Sequence, residues 1–205
     1  MIDASLSSGP IRLSPADFDA LVDAAQDGAA GGRPGVRGVP ADDRIDAIMS
    51  VVVDPAAELR LVVAGPATRL EHRGWLAGDV LVLLLGVGPD VRQLVATDRA
   101  LLTATLVRLT RMRPRNLPER APVEFAARRL DELVSSDPRL RALALDHAHA
   151  DFAWRLDLRW DGGGRSLTGV DGELGLRLAY PDEGRLVPVT NTFCYRVLST
   201  VLAST

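Results

Sequence analysis

Residues 152–160 read Phe-Ala-Trp-Arg-Leu-Asp-Leu-Arg-Trp. Large apolar side chains occupy every second position from Phe152 to Trp160, and charged residues such as Arg155 and Asp157 lie between them. Successive side chains of a β-strand point to opposite faces of the sheet, so a period of two is typical of a strand with one buried face. The stretch therefore predicts a half-buried strand.

The segments around this strand have a counterpart earlier in the chain. Residues 58–109 and 154–202 share one order of elements, four strand-like runs followed by a capped helix. The clearest match sets Arg92–Asp98 beside Arg185–Asn191, and an amphipathic helix follows in both cases. Self-similarity of this kind indicates an internal duplication. The strand-like runs are 58–64, 68–75, 80–87 and 91–96 in the first part, and 152–160, 166–170, 173–180 and 185–189 in the second.

The repeat predicts an α+β fold made of duplicated α-β-β-β-β-α halves, about residues 41–112 and 122–203, within one domain of 205 residues. In this prediction a pseudo-twofold relates the halves and their strands join into one antiparallel sheet, with helices packed at its ends or on one face. The alternative is a chance likeness, because a meander followed by a helix is a common arrangement.

The flanking segments carry clear helix signals. Ile11–Leu13 reads as a short strand, and Ser14 then stands at an N-cap with Pro15 and Asp17 in the first turn of a helix that ends near Gly28. The Gly- and Pro-rich stretch 29–40 predicts a loop. Further helices are predicted from Asp42 or Asp43 to Asp54, near Val123–Ser135 and at Pro138–His147.

Composition excludes several classes of protein. The net charge is −3 and the basic residues are scattered singly, so there is no electrostatic signature of nucleic-acid binding. The start of the chain lacks the pattern of a signal peptide, and the most apolar run, Val80–Val87, is too short to cross a bilayer. With a single cysteine no intrachain disulfide can form. The expected location is the cytoplasm, without membrane insertion.

No segment carries a recognisable catalytic motif. The glycines at 86–90 stand between two predicted strands and so favour a hairpin turn over a phosphate-binding loop. Cys194 with His147 or His149 leaves open a small-ligand-binding or hydrolytic domain, provided that the fold brings a histidine to the thiol. We predict no catalytic residue, no metal site and no cofactor. Protein binding remains the favoured class, with Trp75, Trp154 or Trp160 as a candidate anchor.

Several segments resemble the EspG family, the chaperones of the actinobacterial type VII (ESX) secretion system. Residues 13–21, Leu-Ser-Pro-Ala-Asp-Phe-Asp-Ala-Leu, are similar to the opening strand and helix of that family, and residues 54–61 are similar to its entry into the first sheet strand. The region from Trp154 through 169–171 and 186–190 resembles its closing segment. The chain departs from the family in its length, in its Gly-rich region before Pro55 and in having Val22 where the family has tryptophan.

The resemblance implies a cytosolic chaperone that binds helical secretion substrates, typically PE–PPE pairs, before export. Such a chaperone would cover an apolar part of the substrate with a polar rim around it. A homodimer that pairs through its sheet edges is a further hypothesis. By resemblance, the partner-binding segment is Gly65–Arg73, together with Trp75 in the same predicted strand. The candidate residues are Gly65, Pro66, Arg69, His72, Arg73 and Trp75.

Overall fold

The computed structural model describes residues 9–27, 43–112 and 121–203. The loop predicted at 29–40 and most of the connector between the two predicted halves lie outside these residues. The strands are β1 (Ile11–Leu13), β2 (Ala57–Ala64), β3 (Arg69–Ala77), β4 (Val80–Gly86), β5 (Arg92–Asp98), β6 (Val123–Glu124), β7 (Phe152–Trp160), β8 (Gly163–Asp171), β9 (Arg177–Tyr180) and β10 (Arg185–Pro188). The helices are α1 (Pro15–Gln26), α2 (Asp43–Val53), α3 (Leu102–Leu109), α4 (Pro138–His147) and α5 (Asn191–Ala203).

The described strands form one antiparallel sheet, which confirms the predicted α+β class. Ten strands follow the order β1-β5-β4-β3-β2-β7-β8-β9-β10-β6. Consecutive strands of each meander are neighbours, as the short Gly- and Pro-containing turns require. In the β3–β4 hairpin, for example, Gly74 pairs with Leu83 and Trp75 with Val82. Both edge strands are very short, with three residues in β1 and two in β6.

The chain groups into two compact units, each built from several segments. One contains the described residues up to Leu59 together with His72–Leu102 and Arg159–Gly163. The other contains Arg60–Glu71, Thr103–Leu158 and the described residues from Gly164 onward. The single-domain organisation and the symmetry of the two predicted halves stay predictions.

The core of the first unit forms where helices α1 and α2 pack against β1, β3, β4 and β5. Helix α1 starts as predicted, because the Ser14 hydroxyl accepts from the Asp17 N–H at 3.1 Å and the Asp17 carboxylate accepts from the Ser14 N–H at 3.2 Å. The Phe18 ring stacks on Trp75, with 5.6 Å between the ring centroids. The cluster also contains Leu21, Ile45, Ile48, Met49, Val82, Leu84 and Leu94.

Strand β7, whose residues up to Leu158 belong to the second unit, confirms the alternation of residues 152–160. Trp154, Leu156 and Leu158 are at most 1% exposed, while Arg155 and Asp157 are half-buried on the opposite face. A separate apolar cluster beside helix α4 contains Phe125, Leu130, Leu133, Ala144, Leu145, Ala148, Val170 and Leu186.

The predicted helix at Val123–Ser135 is wrong. Residues Val123–Glu124 form strand β6 beside β10, and short 3-10 turns follow at Ala127–Arg129 and Glu132–Val134. The Phe125 N–H donates to the Gly184 carbonyl at 2.7 Å and so extends this strand pairing by one bond. Pairing of this edge segment with β10 therefore outweighs local helix propensity here.

A glycine beneath Trp154 makes the close packing of β7 and β8 possible. A Cβ atom at Gly169 would lie 2.4 Å from the Trp154 indole ring. The indole is fully buried, and the close packing of protein interiors opposes its rotation away from such a group.

We expect Gly169→Ala to lower the free energy of unfolding by about 1–3 kcal/mol, because an added methyl group overpacks this core. Urea denaturation followed by circular dichroism measures the change. Gly88→Ala is the matched control, since a Cβ there meets no atom within 4 Å. Equal losses in both variants would show that the contact with Trp154 does not limit stability.

Candidate functional site

The predicted partner-binding segment begins in a tight turn between β2 and β3. The Gly65 N–H donates to the Thr68 carbonyl at 2.9 Å and closes the turn. Pro66, Ala67 and Thr68 are exposed, while Gly65 is half-buried. Two of the six candidate residues, Gly65 and Pro66, therefore lie in an ordered surface turn, which we call the β2–β3 turn (Gly65–Thr68).

The guanidinium group of Arg141, from helix α4, holds this turn. Its Nε donates to the Gly65 carbonyl at 2.7 Å and its Nη2 to the Pro66 carbonyl at 3.1 Å. Its Nη1 donates to the Ser135 carbonyl at 2.5 Å and lies 3.5 Å from the Ser136 carbonyl. Arg141 is only 3% exposed, and burial lowers the pKa of the guanidinium. A buried charge is thus satisfied by backbone carbonyls from two segments.

Arg69, at the start of β3, makes a second link between the same segments. Its Nε donates to the Val134 carbonyl at 3.0 Å, and its Nη2 donates to Glu71 at 3.0 Å. Glu71 also receives two hydrogen bonds of 2.9 Å from Arg60 on β2. This two-pronged geometry is the strong form of a carboxylate–guanidinium pair.

The ion pairs continue on β7. Asp157 lies 3.9 Å from Arg60 and accepts a hydrogen bond of 2.8 Å from Arg155, which also pairs with Asp131. The hydroxyl of Ser166 on β8 donates to Asp157 at 2.6 Å. We call this set, within the second unit, the charged strip. Its members are Arg60, Arg69, Glu71, Asp131, Arg155 and Asp157.

The strip keeps Glu71 ionised far below neutral pH. Hydrogen bonds from Arg60 lower the pKa of Glu71 to about 2, and the nearby charges of Arg60 and Arg69 act in the same direction against partial burial. The same hydrogen bond raises the pKa of Arg60. The pair therefore stays charged under all physiological conditions.

The other candidate residues lie on β3, in the first unit, and differ in exposure. His72 is 4% exposed, and its Nδ1 accepts a hydrogen bond from the Gly86 N–H at 3.2 Å. Trp75 is 7% exposed in its stack with Phe18, whereas Arg73 is exposed. His72 and Trp75 therefore support the sheet and offer little surface, and Pro66 and Arg73 are the most accessible candidates. Trp154 is 0% exposed and so is not a surface anchor.

The geometry argues against chemistry at Cys194. Its side chain is fully buried in helix α5, and burial raises the pKa of the thiol to about 12. Only a thiolate is a good nucleophile, so this thiol is suited to packing. His147 and His149 are exposed, and the His147 ring lies 5.6 Å from that of Phe125. Among the described residues no three histidine, cysteine or acidic side chains gather into a metal site.

Comparison with solved structures finds a similar fold over nearly the whole chain. The structure of the Mycobacterium tuberculosis type VII secretion system chaperone EspG5, in complex with the PE25–PPE41 dimer, matches with a TM-score of 0.56. The match covers 95% of this chain and 96% of EspG5, at 14% sequence identity. The fold is EspG-like. No protein-family model matches the sequence, and no curated protein sequence is similar to it.

Similarity at this level of sequence identity shows the fold. The matched protein is a chaperone, and nothing in the described residues points to catalysis. No helix within the described ranges has the length and apolar character that a membrane span requires.

The pH dependence of the free energy of unfolding tests how the charged strip contributes to stability. Because the pKa of Glu71 is depressed by folding, its stabilisation is present above the unfolded-state value of about 4.3 and is lost as the pH falls through about 2. We expect Glu71→Gln to cost roughly 1 kcal/mol at pH 7, because a pair near the surface is screened by solvent. The difference from wild type should shrink between about pH 4.3 and 2.

Urea denaturation at a series of pH values measures this difference. Glu58→Gln is the control, because it removes an exposed carboxylate from strand β2. If the stability lost in Glu71→Gln does not change with pH, the ion pair is not the origin of that loss.

The buried thiol gives a test of the enzymatic alternative. We expect Cys194 to resist thiol-specific reagents in the native chain at pH 8 and to react fully once the chain is unfolded. With a reagent that releases a chromophore when it reacts with a thiol, absorbance measures both rates. Rapid labelling of the native protein would restore the nucleophile hypothesis.

Proposed function

We propose that this protein is a cytoplasmic chaperone or adaptor that binds helical type VII secretion proteins of the PE–PPE kind before export. The observation that carries the proposal is the EspG-like fold along 95% of the chain, since EspG5 itself was solved with a bound PE25–PPE41 dimer. The buried thiol of Cys194 removes the main support for a hydrolytic alternative.

We assign partner binding to the exposed members of the segment Gly65–Arg73. The β2–β3 turn supports this assignment, because its outer residues are accessible while its backbone is fixed by Arg141. A fixed turn loses little conformational freedom on binding and so favours affinity. The charged strip supplies the kind of polar surround that is typical of the rim of a protein interface.

The oligomeric state belongs to the same proposal. A homodimer formed by pairing sheet edges needs an accessible edge strand of useful length. Strands β1 and β6, which end the sheet, contain three and two residues. Such edges disfavour strand pairing between copies, and we propose that the heterologous helical partner is the main interaction.

We also propose that the chain arose by duplication. Read inward from either edge, the strand order is one short strand followed by four meander strands in descending chain order. This connectivity supports the repeat inferred from Arg92–Asp98 and Arg185–Asn191.

Affinity purification of the tagged chain from a related actinobacterium tests the binding function. Recovery of a small helical type VII protein at near-equal amount is the expected result. Recovery of the chain alone as a tight dimer, or with a retained metabolite, would reject it.

Two matched substitutions test the binding surface. We expect Pro66→Asp, which places a charge on the β2–β3 turn, to weaken the recovered complex at least about tenfold. Pro89→Asp makes the same exchange in the exposed turn between β4 and β5 and should leave affinity unchanged. Calorimetric titration compares the two, and equal affinities would exclude the β2–β3 turn from the interface.

A further inference from the structure

Arg141 occupies an unusual position for a buried charge. On helix α4 and its C-cap residue, the side chains buried at i, i+3, i+4 and i+7 are those of Arg141, Ala144, Leu145 and Ala148. This is the spacing of a core-facing stripe, which normally contains apolar residues. An arginine at the first position of this stripe needs compensating hydrogen bonds, because an unsatisfied buried guanidinium would destabilise the fold.

Backbone carbonyl groups around Arg141 supply these hydrogen bonds. Its donors reach the carbonyl groups of Gly65 and Pro66 on one side and of Ser135 and Ser136 on the other. Carbonyl groups in a turn cannot be satisfied by strand pairing, and a planar guanidinium with five N–H donors can bridge several of them. Lysine carries a compact charge on a flexible stem and cannot reproduce this fork.

The second link acts on the same pair of segments. Arg69 follows the β2–β3 turn and donates to the Val134 carbonyl, next to the residues that Arg141 contacts. Two guanidinium groups, one from each side, therefore connect the turn to residues 134–136. Loss of the Arg141 contacts should leave Arg69 as the remaining one of these two links to residues 134–136.

We propose that Arg141 is a positioning residue that preorganises the β2–β3 turn for its partner. The inference rests on the proposed function for its purpose, but the positioning itself is a property of the free chain. A turn that is fixed before binding is competent in every molecule, whereas a loosened turn reduces the apparent affinity by the fraction that is competent.

Hydrogen exchange measured by NMR on the full chain tests the positioning without any partner. The reporter is the Gly65 amide, whose bond to the Thr68 carbonyl closes the turn. We expect its exchange to become about ten- to hundredfold faster in Arg141→Ala and in Arg141→Lys. The amides of Phe125 and Val189, which bond to carbonyls elsewhere in the second unit, should change much less.

Arg139→Ala is the matched control, because Arg139 is an exposed arginine on the same helix. It should leave the Gly65 amide unchanged. Equal acceleration at Gly65, Phe125 and Val189 would show that Arg141 supports the whole unit and would overturn the proposal. Arg141→Lys keeps the positive charge and an aliphatic stem. If Arg141→Ala does not fold, exchange of the Gly65 amide in Arg141→Lys tests whether Arg141 fixes the turn. Unfolding of both variants would also overturn the proposal.

A binding measurement separates this inference from the proposed function. With a purified PE–PPE dimer as the probe, a variant whose turn is mostly open should lose about tenfold in association rate while its dissociation rate stays the same. An unchanged association rate in such a variant would overturn the positioning role. If wild type binds no PE–PPE dimer, the proposed function fails, and the exchange of the Gly65 amide still decides whether Arg141 fixes the turn.

Discussion

A wide β-sheet has two faces, and every part of each face must be either packed against apolar groups or carry side chains that water and ion pairs can satisfy. Strand β4 meets the first requirement on both sides, since Leu81 and Leu83 are buried on one face and Val82 and Leu84 on the other. Strand β7 combines the two requirements, with an apolar face and a charged one. In the first unit, helices α1 and α2 cover apolar side chains of β3, β4 and β5. In the second unit, ion pairs of the charged strip occupy the polar face of β7.

This constraint explains which parts of the fold could be predicted from sequence. Period two in residues 152–160 and the continuous apolar run in β4 each reflect local burial, so both strands were found within one residue of their observed ends. The helix starts at Ser14 and Pro138 follow from capping chemistry, which is also local. The segment at Val123–Ser135 was mispredicted because its structure depends on a distant partner, strand β10, and no pattern within the segment records that pairing.

The candidate site was harder to predict for the same reason. Glu71 and Arg60 meet only because β2 and β3 are in a particular register, and Arg141 acts on carbonyl groups roughly 75 positions away in sequence. One signal was available: Arg141 begins the stripe that continues with Ala144, Leu145 and Ala148, and a charge in such a stripe indicates a buried polar contact. His72 and Trp75 were predicted on the partner surface because resemblance gives positions in a segment, whereas burial depends on what packs over them.

The contact between Trp154 and Gly169 also bears on how the sequence can evolve. The similarity to EspG5 at 14% identity shows that a similar fold accommodates a very different sequence. These two positions are not free to change singly, because a larger residue at 169 would collide with the indole and a smaller residue at 154 would leave a void. A change at either position alone would therefore cost stability, so packing constrains the two positions as a pair.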